Sequence, residues 1–296
     1  MTVETASVPA WFTDAIAAEP EHRTLVVDGA EIAYRAWGDV GDPGLLLVHG
    51  GAAHAGWWDH LAPQLAADRR VVAFDLSGHG DSDWRADLYT YALWARESVA
   101  VAADAGIADD RLVVVGHSMG GIVSMHASVL FPDLVNDIVI VDSELFDADD
   151  IAAMMAHGAP ADTAIPRTSR FYASREEALG RYRLLPEQET LPYVRAHVAA
   201  GSIIQADEGW RWKFDRRFPT RLTDPAPTPP PGCAVTIVRG ERGVMAAGRA
   251  QSLFHGRADG TGRLVTFPGG GHHVMLDRPL ELLAEVRTTL GATDKE

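Results

Sequence analysis

Residues 113–122 read VVVGHSMGGI and combine the end of an apolar run, a turn and the start of a helix. Ser118 stands between Gly116 and Gly120 in the pattern G-x-S-x-G. In that pattern the chain turns so sharply that the serine is exposed in a strained conformation, and the glycines remove side chains that would collide. The helix that follows points its amino end at the serine and favours negative charge there. The stretch therefore predicts a nucleophilic serine that needs a base from elsewhere in the chain.

Short apolar runs alternate with helical periodicity on both sides of this stretch. The runs that read as strands buried on both faces are 45–49, 70–75, 111–116, 137–142, 234–240 and 263–267. Segments with helical periodicity lie between or after them, at 58–67, 91–105, 119–131, near 245–254, and from about 279. Because strands buried on both faces are usually parallel, the alternation predicts an α/β fold with a doubly wound, mostly parallel sheet.

Composition and charge narrow the class of protein. The 296 residues suffice for one large domain with an inserted lid, and the net charge of -15 argues against nucleic acid or an anionic membrane surface as a partner. There is no run of the ~18 apolar residues that a membrane span needs, and the first residues lack the features of a secretory signal. Cys233 is the single cysteine, which excludes an internal disulfide and predicts a reducing, cytoplasmic location.

The strand rhythm stops between residues 143 and 225. This segment contains helical stretches such as SREEALGRYRLL and no clear strand, and it ends in the proline-rich connector TDPAPTPPPGC (223–233). We predict that 143–225 is a helical cap inserted into a core domain formed by 1–142 and 226–296. The cap would cover the carboxyl edge of the sheet, where open parallel sheets bind ligands.

Four motifs, in the expected order, resemble the α/β-hydrolase family. LLLVHGG (45–51) is similar to its oxyanion loop, VVAFDLSGHGDS (71–82) to its glycine-rich turn, GHSMGG (116–121) to its nucleophile elbow and FPGGGHHVMLDRP (267–279) to its histidine loop. The resemblance covers the chain from about residue 24 to the end, apart from the cap. It implies the α/β-hydrolase fold with an inserted cap, and a hydrolase that needs no cofactor.

The resemblance places the base in the loop after the last strand, where two histidines are adjacent. His272 is favoured because Gly271 precedes it and Asp277 follows five positions later, before Arg-Pro. His273 would then face the cap or solvent. One imidazole nitrogen of the base would take the Ser118 proton and later return it to the leaving group.

The acid departs from the commonest family pattern. Many relatives carry it in a G-x-x-D stretch after the penultimate strand, where this chain reads RGERGVM with Gly243 at the aspartate position. Asp142, which follows the strand after the elbow helix, is the first candidate. The resemblance implies this because some branches of the family have an acid at that place. A strand-end aspartate, however, often only caps a turn. Glu241 is the alternative, and Glu144 or no acid at all remain open.

Two backbone N–H groups should form an oxyanion hole. The resemblance implies Met119 for one of them and Gly51 for the other, with Ala52 as its neighbour.

Aromatic residues of the cap point to a substrate pocket. GWRWKFDRRF (209–218) holds Trp210 and Trp212, which we expect to pack the cap onto the core and to line an apolar acyl or alcohol pocket. Trp57 and Trp58 follow the oxyanion loop and could face the same pocket or lie in the core.

No metal site is predicted. Asp147–Asp150 reads as a solvated acidic loop, and the histidines at 49, 54, 60, 79, 117 and 126 fit strand and loop positions without a metal.

These residues predict a serine hydrolase that acts on a carboxylic ester, lactone or related acyl substrate through Ser118, His272 and Asp142. The expected partner is a small, apolar acyl compound, and the expected state is a monomer or homodimer. Two alternatives stay open: a carbon–carbon bond hydrolase that uses the same residues on a ring-fission product, and a non-catalytic receptor of the same fold. A dehalogenase or epoxide hydrolase is disfavoured because its nucleophile would be aspartate.

Overall fold

The computed structural model describes residues 8–109, 112–146, 149–150, 152, 170–222, 232–252 and 262–293. The strands within them, in chain order, are β1 (Glu21–Val27), β2 (Ala30–Trp37), β3 (Gly44–Val48), β4 (Arg70–Phe74), β5 (Leu112–His117), β6 (Val135–Val141), β7 (Ile203–Ala206), β8 (Gly209–Trp212), β9 (Ala234–Gly240) and β10 (Gly262–Phe267).

Eight of these strands form one sheet in the order β1-β2-β4-β3-β5-β6-β9-β10. The β1–β2 and β2–β4 pairs are antiparallel, and every pair from β4 to β10 is parallel. The prediction of a doubly wound, mostly parallel sheet is therefore confirmed. The sequence analysis missed β1 and β2 because neither has a continuous apolar run: the side chains of the edge strand β1 are mostly exposed, and those of β2 alternate between buried and less buried.

The helices within the described residues are α1 (Ala10–Ala17), α2 (Ala62–Leu65), α3 (Tyr91–Asp104), α4 (Met119–Leu130), α5 (Arg175–Gly180), α6 (Pro192–Gly201), α7 (Phe218–Arg221), α8 (Ala247–Ser252), α9 (Val274–Asp277) and α10 (Pro279–Thr293). The predicted helix at 58–67 is shorter, since a 3-10 turn (Ala55–Trp58) comes first and α2 begins at the residue before Pro63. None of these helices is long and apolar enough to cross a membrane.

Both faces of the sheet are covered, which explains the continuous apolar runs. Along β3, Leu46 and Val48 belong to the apolar cluster on one face, and Leu45 and Leu47 to the cluster on the other. All four side chains are at most 1% exposed, so the burial of each one stabilises the folded protein by about 1.5–3 kcal/mol. The central strands are thereby held in register, and their carboxyl ends lie along one edge.

The described part of the predicted cap, residues 170–222, contains α5, α6, α7 and the antiparallel hairpin β7–β8. The hairpin corrects the sequence reading, which found no strand there; each of its strands has only four residues, too few to show a period. The division into core and cap stays a proposal, because 147–148, 151, 153–169 and 223–225 lie outside the described residues.

This part of the chain is joined to the core by buried and half-buried polar contacts. Asp59 accepts hydrogen bonds from Arg35 at 2.7 Å and from His197 of α6 at 2.9 Å. His54 contacts the Val198 carbonyl oxygen of α6 through Nε2 at 3.1 Å. The helix α6 is thereby fixed over the segment that follows the 45–51 loop.

Candidate active site

Ser118 occupies the turn between β5 and α4 in a strained conformation, with φ 53° and ψ -120°. The glycines on either side are required by contact: a Cβ at Gly116 would lie 2.3 Å from the Gly120 oxygen, and one at Gly120 would lie 2.4 Å from the Val48 oxygen. Because β3 and α4 pack this closely, the hydroxyl of Ser118 is carried to the carboxyl edge of the sheet.

Three side chains predicted from the sequence meet at this edge. The Ser118 hydroxyl lies 3.1 Å from His272 Nε2, and His272 Nδ1 lies 2.7 Å from Asp142 Oδ2. Since a carboxylate only accepts, Nδ1 carries the proton and Nε2 is left as the acceptor for the serine. The His272 side chain is 5% exposed and that of Asp142 is fully buried. The arrangement can therefore take a proton from Ser118 and stabilise the imidazolium that results.

Asp142 directly follows β6 and has a positive φ of 44°. Besides the His272 contact, its carboxylate accepts the N–H groups of Gly240 at 3.2 Å and Val244 at 2.8 Å. A buried carboxylate is stable only when its oxygens are hydrogen-bonded. The segment after β9 thus supplies the donors that hold Asp142 in place.

Gly243, the aspartate position in many relatives, lies against Asp142. A Cβ at Gly243 would come within 2.1 Å of Asp142 Oδ1, far closer than any contact between non-bonded atoms. The carboxylate of Asp142 therefore fills the space that a side chain at 243 would enter.

The alternative acid, Glu241, supports the histidine loop from outside. Its carboxylate accepts the Gly269 N–H at 2.7 Å in an exposed contact, and Asp277 accepts the Gly271 N–H at 2.7 Å. Burial raises the pKa of Asp277. Glu144 is exposed. Within the described residues neither Glu241 nor Glu144 forms a hydrogen bond with the His272 ring.

The two predicted oxyanion donors lie side by side. Met119 is the first residue of α4, and a Cβ on Gly51 would lie 3.8 Å from the Met119 sulfur. No acceptor among the described residues takes the N–H of either residue. Ala52, next to Gly51, has a φ of 57°, in the left-handed region that few non-glycine residues adopt. Both N–H groups are available for a developing negative charge.

His49 holds this loop, as the sequence predicts for a structural residue. Its Nδ1 donates to the Gly50 oxygen at 2.7 Å, and its Nε2 accepts the Leu76 N–H at 3.1 Å. Burial lowers the pKa of His49 to about 4, so the ring is neutral and makes both contacts at pH 7.

Two further histidines surround His272. Burial, with the neighbouring His272 ring as a smaller cause, lowers the pKa of His273 to about 3 and that of His117 well below its usual value. Ligand atoms of these three histidines lie within 4.8 Å of one another, the single such group in the described residues. Imidazoles suit zinc, copper or nickel. However, both His272 nitrogens already contact Asp142 and Ser118, so a metal there would displace the serine contact.

A cavity of about 180 Å³ opens beside the 45–51 loop. It is lined by Gly51, Ala52, Trp57, Arg181, Tyr182, Arg183, Leu184, Leu185, Ser202, Trp212, Phe214, Arg216 and His273. The lining joins the oxyanion loop and the histidine loop to the cap segment, which makes the cavity the candidate substrate site.

The structure corrects two of the three predicted pocket residues. Trp212 lines the cavity, but Trp58 is 1% exposed and packs in the core, and its neighbour Trp57 lines the cavity instead. Trp210 packs beside Tyr172 in the small apolar cluster of the β7–β8 hairpin. Successive residues of a helical turn point in different directions, so Trp57 faces the cavity while Trp58 is buried. Trp210 and Trp212 are two apart in β8 and both pack against the hairpin cluster, but the cavity lining includes Trp212 and not Trp210.

Gln188, which no sequence motif marks, connects the cap segment to the histidine loop. Its Oε1 accepts the His273 N–H at 2.8 Å, and its Nε2 lies 3.5 Å from the His273 oxygen. A single glutamine outside any motif cannot be identified from the sequence, because its contact depends on how the cap segment packs against the core. Gln188 therefore orients the loop that carries His272.

Comparisons with known proteins agree with the fold. The alpha/beta hydrolase family matches residues 45–286. A human serine hydrolase-like protein is 31% identical over 135 residues, which cover 45% of this chain and 66% of that protein. The matched part spans just under two thirds of that human protein's length. Lipase LipV of Mycobacterium tuberculosis is 29% identical over 267 residues, 88% of this chain and 98% of LipV.

A solved structure shares the fold. It is that of E-2-(acetamidomethylene)succinate hydrolase, with a TM-score of 0.73 at 21% identity over 91% of this chain and 98% of that one.

Proposed function

The chain belongs to the alpha/beta hydrolase family, and we propose that it is a serine hydrolase that cleaves a carboxylic ester, lactone or related acyl substrate with Ser118 as the nucleophile. The observation that carries the proposal is the continuous set of contacts from Asp142 through His272 to Ser118, at 2.7 and 3.1 Å. The names of relatives, a lipase and serine hydrolase-like proteins, support the same chemistry.

In the proposed reaction, Ser118 Oγ attacks the carbonyl carbon of the substrate while His272 Nε2 takes the hydroxyl proton. The carbonyl oxygen becomes an oxyanion, which the N–H groups of Met119 and Gly51 stabilise; one such donor contributes about 2.7–4 kcal/mol in other enzymes. Asp142 stabilises the imidazolium. The imidazolium then protonates the leaving oxygen, and an acyl-serine remains.

The second half of the reaction uses the same groups with water as the nucleophile. His272 Nε2 takes a proton from the water, whose oxygen attacks the acyl-serine carbonyl. The tetrahedral intermediate collapses, the proton returns to Ser118 Oγ, and the carboxylic acid leaves. The sum of the two halves is hydrolysis of one acyl bond by one water, with no cofactor required.

The cavity supports a short acyl or alcohol group. Its size of about 180 Å³ is close to that of the cavity of about 150 Å³ that binds benzene in an engineered protein. Apolar side chains from Trp57, Leu184 and Phe214 form part of its wall.

Two alternatives share the fold. A carbon–carbon bond hydrolase would use the same three side chains, so the proposal for Ser118 holds for both. A non-catalytic receptor would be favoured if the glycine at 243 left the site without an acid, and the contact between Asp142 and His272 weakens that alternative.

A fluorophosphonate probe tests the proposal. We expect covalent label on Ser118 in the folded protein and hydrolysis of 4-nitrophenyl esters of short acids. Ser118→Ala should lose both, whereas the matched control Ser174→Ala, at an exposed serine of the cap segment, should keep both. An unlabelled Ser118 in folded protein that hydrolyses no acyl substrate would overturn the proposal in favour of the receptor.

A further inference from the structure

The cavity beside the oxyanion loop has a charge opposite to that of the whole protein. Its lining includes three arginines, Arg181, Arg183 and Arg216, and no carboxylate from the described residues. The chain as a whole has 41 acidic and 26 basic residues, with a net charge of -15. The overall negative charge would therefore repel anions from this protein, and only a local group of positive charges would bind one.

Two of these arginines, Arg181 and Arg183, have no acidic partner among the described residues. Arg183 Nη1 donates to two backbone oxygens, those of Gly180 at 3.2 Å and Tyr182 at 2.7 Å, and the described residues place no carboxylate in an ion pair with Arg183 or Arg181. By contrast, Arg217 forms an ion pair with Asp215 at 3.1 Å, although it lies next in the chain to Arg216. Arg181 and Arg183 thus differ from Arg217, whose charge is already paired.

Arg216 differs from the other two by its burial. Its exposed fraction is 9%, whereas Arg181 and Arg183 are exposed at the mouth. A guanidinium is always charged, and its planar fork of donors matches a carboxylate or a phosphate. Arg181 and Arg183 at the opening therefore form a site where an anion can bind two guanidinium groups, with the charge of Arg216 close behind them.

The other residues that line the cavity place the arginines near the proposed catalytic groups. Gly51 and His273 border the cavity beside the proposed catalytic groups, and Trp57, Leu184 and Trp212 form apolar wall. A molecule in the cavity thus meets the oxyanion loop, apolar side chains and guanidinium groups together. An acyl compound with an apolar spacer and an anionic group satisfies all three.

We propose that the substrate is anionic: an ester or related acyl compound whose carboxylate or phosphate, separated from the scissile bond by a short apolar spacer, binds Arg181 and Arg183. This rests on the proposed function and narrows its substrate class. It also amends the expectation of a wholly apolar substrate.

A pair of esters of equal length tests this site. Mono-4-nitrophenyl glutarate and 4-nitrophenyl pentanoate differ in a terminal carboxylate against a methyl group. We expect the wild-type protein to favour the glutarate by tenfold or more in kcat/KM, and the preference to fall as salt is added. Butyl phosphate and pentanoate, compared as inhibitors of pentanoate-ester hydrolysis, distinguish a phosphate from a carboxylate: the tighter inhibitor identifies the group.

Variants locate the effect. Arg183→Gln and Arg181→Gln should each lower the glutarate-to-pentanoate ratio of kcat/KM by about fivefold. Arg183→Lys should keep part of the preference, since it retains the charge but loses the planar fork. The matched control Arg175→Gln, at an exposed arginine of α5 outside the cavity lining, should leave the ratio unchanged. Thermal melting checks that each variant is folded.

The two proposals fail in different ways. If the pentanoate ester is hydrolysed and the glutarate ester is not preferred, or if the ratio is the same in wild type and both glutamine variants, the anionic site is wrong and the hydrolase proposal stands. If neither ester is hydrolysed and Ser118 is not labelled, both proposals are overturned.

Discussion

The carboxylate of Asp142 lies in the space beside Gly243, so that a Cβ on Gly243 would come within 2.1 Å of Asp142 Oδ1. The two residues follow β6 and β9, which are neighbouring parallel strands and end at the same edge of the sheet. We therefore expect that an acid after either strand could reach the His272 ring, whereas the space holds only one of them. Position 243 is therefore a glycine where position 142 is an aspartate, because a side chain at 243 would collide with the Asp142 carboxylate.

The first prediction separates Asp142 from Glu241. Asp142→Asn should lower kcat by a hundredfold or more, because an amide can present its N–H₂ to Nδ1 and favour the wrong tautomer; loss of the acid in another triad costs about ten-thousandfold. Glu241→Gln should change kcat by less than about threefold, because its contact is to the exposed Gly269 N–H. Steady-state kinetics on one ester gives both values. A crippled Glu241→Gln beside a near-normal Asp142→Asn would contradict the assignment.

The second prediction moves the acid between the two strands. Gly243→Asp alone should destabilise the protein by about 2 kcal/mol or more, because it forces two carboxylates into one buried space. In the double variant Asp142→Gly/Gly243→Asp the space is free again, and glycine suits the φ of 44° at position 142. We expect the double variant to recover the lost stability and to be at least tenfold more active than Asp142→Gly. Urea unfolding and ester hydrolysis measure the two effects.

A double variant no more active than Asp142→Gly would show that position 243 cannot reach the His272 ring. Gly248→Asp, at a glycine with no heavy atom within 4 Å of its added Cβ, is the control for an aspartate placed without a steric conflict.

The sequence predicts the parts of this site that depend on local pattern. The elbow at Ser118 and the histidine loop could be placed because their glycines and strands are contiguous in the chain. The acid could only be ranked, since the space shared by Asp142 and Gly243 depends on the packing of strands about 100 residues apart in the chain. Trp57 and Trp58 could not be told apart either, because the rotation of a short helical turn is set by tertiary packing.

The third prediction concerns Gln188, which orients the histidine loop through the His273 backbone. Gln188→Ala should lower kcat by about three- to tenfold with a smaller change in KM, because the loop that carries His272 loses a hydrogen bond to the cap segment. Gln188→Glu keeps an oxygen that can accept the His273 N–H and should retain most of the activity. The matched control, Gln205→Ala, changes an exposed glutamine of β7 and should have no effect. Equal losses in the alanine and glutamate variants would show that the hydrogen bond to His273 does not position the loop.

The fourth prediction is a loss of stability in weak acid. Burial lowers the pKa values of His49, His54 and His60 to about 4, from 6.5. In that window the unfolded chain binds protons that the folded protein does not, so the free energy of unfolding falls as the pH falls from about 6.5 to about 4. Each such histidine contributes up to about 1.4 kcal/mol per pH unit. Urea unfolding at intervals between pH 7.5 and 4.5 should show a steep decline below pH 6.5.

One of these histidines can be replaced to test the cause. His54→Asn keeps a side-chain acceptor that can reach the Gly56 N–H, which His54 Nδ1 accepts at 3.2 Å, but it cannot take up a proton. The slope of stability against pH should become shallower by up to one proton between about pH 4 and 6.5. His22→Asn, at an exposed histidine of β1, should leave the slope as in the wild type. If His54→Asn keeps the wild-type slope while remaining folded, then His54 does not contribute to the loss of stability in acid, and the decline must come from other groups.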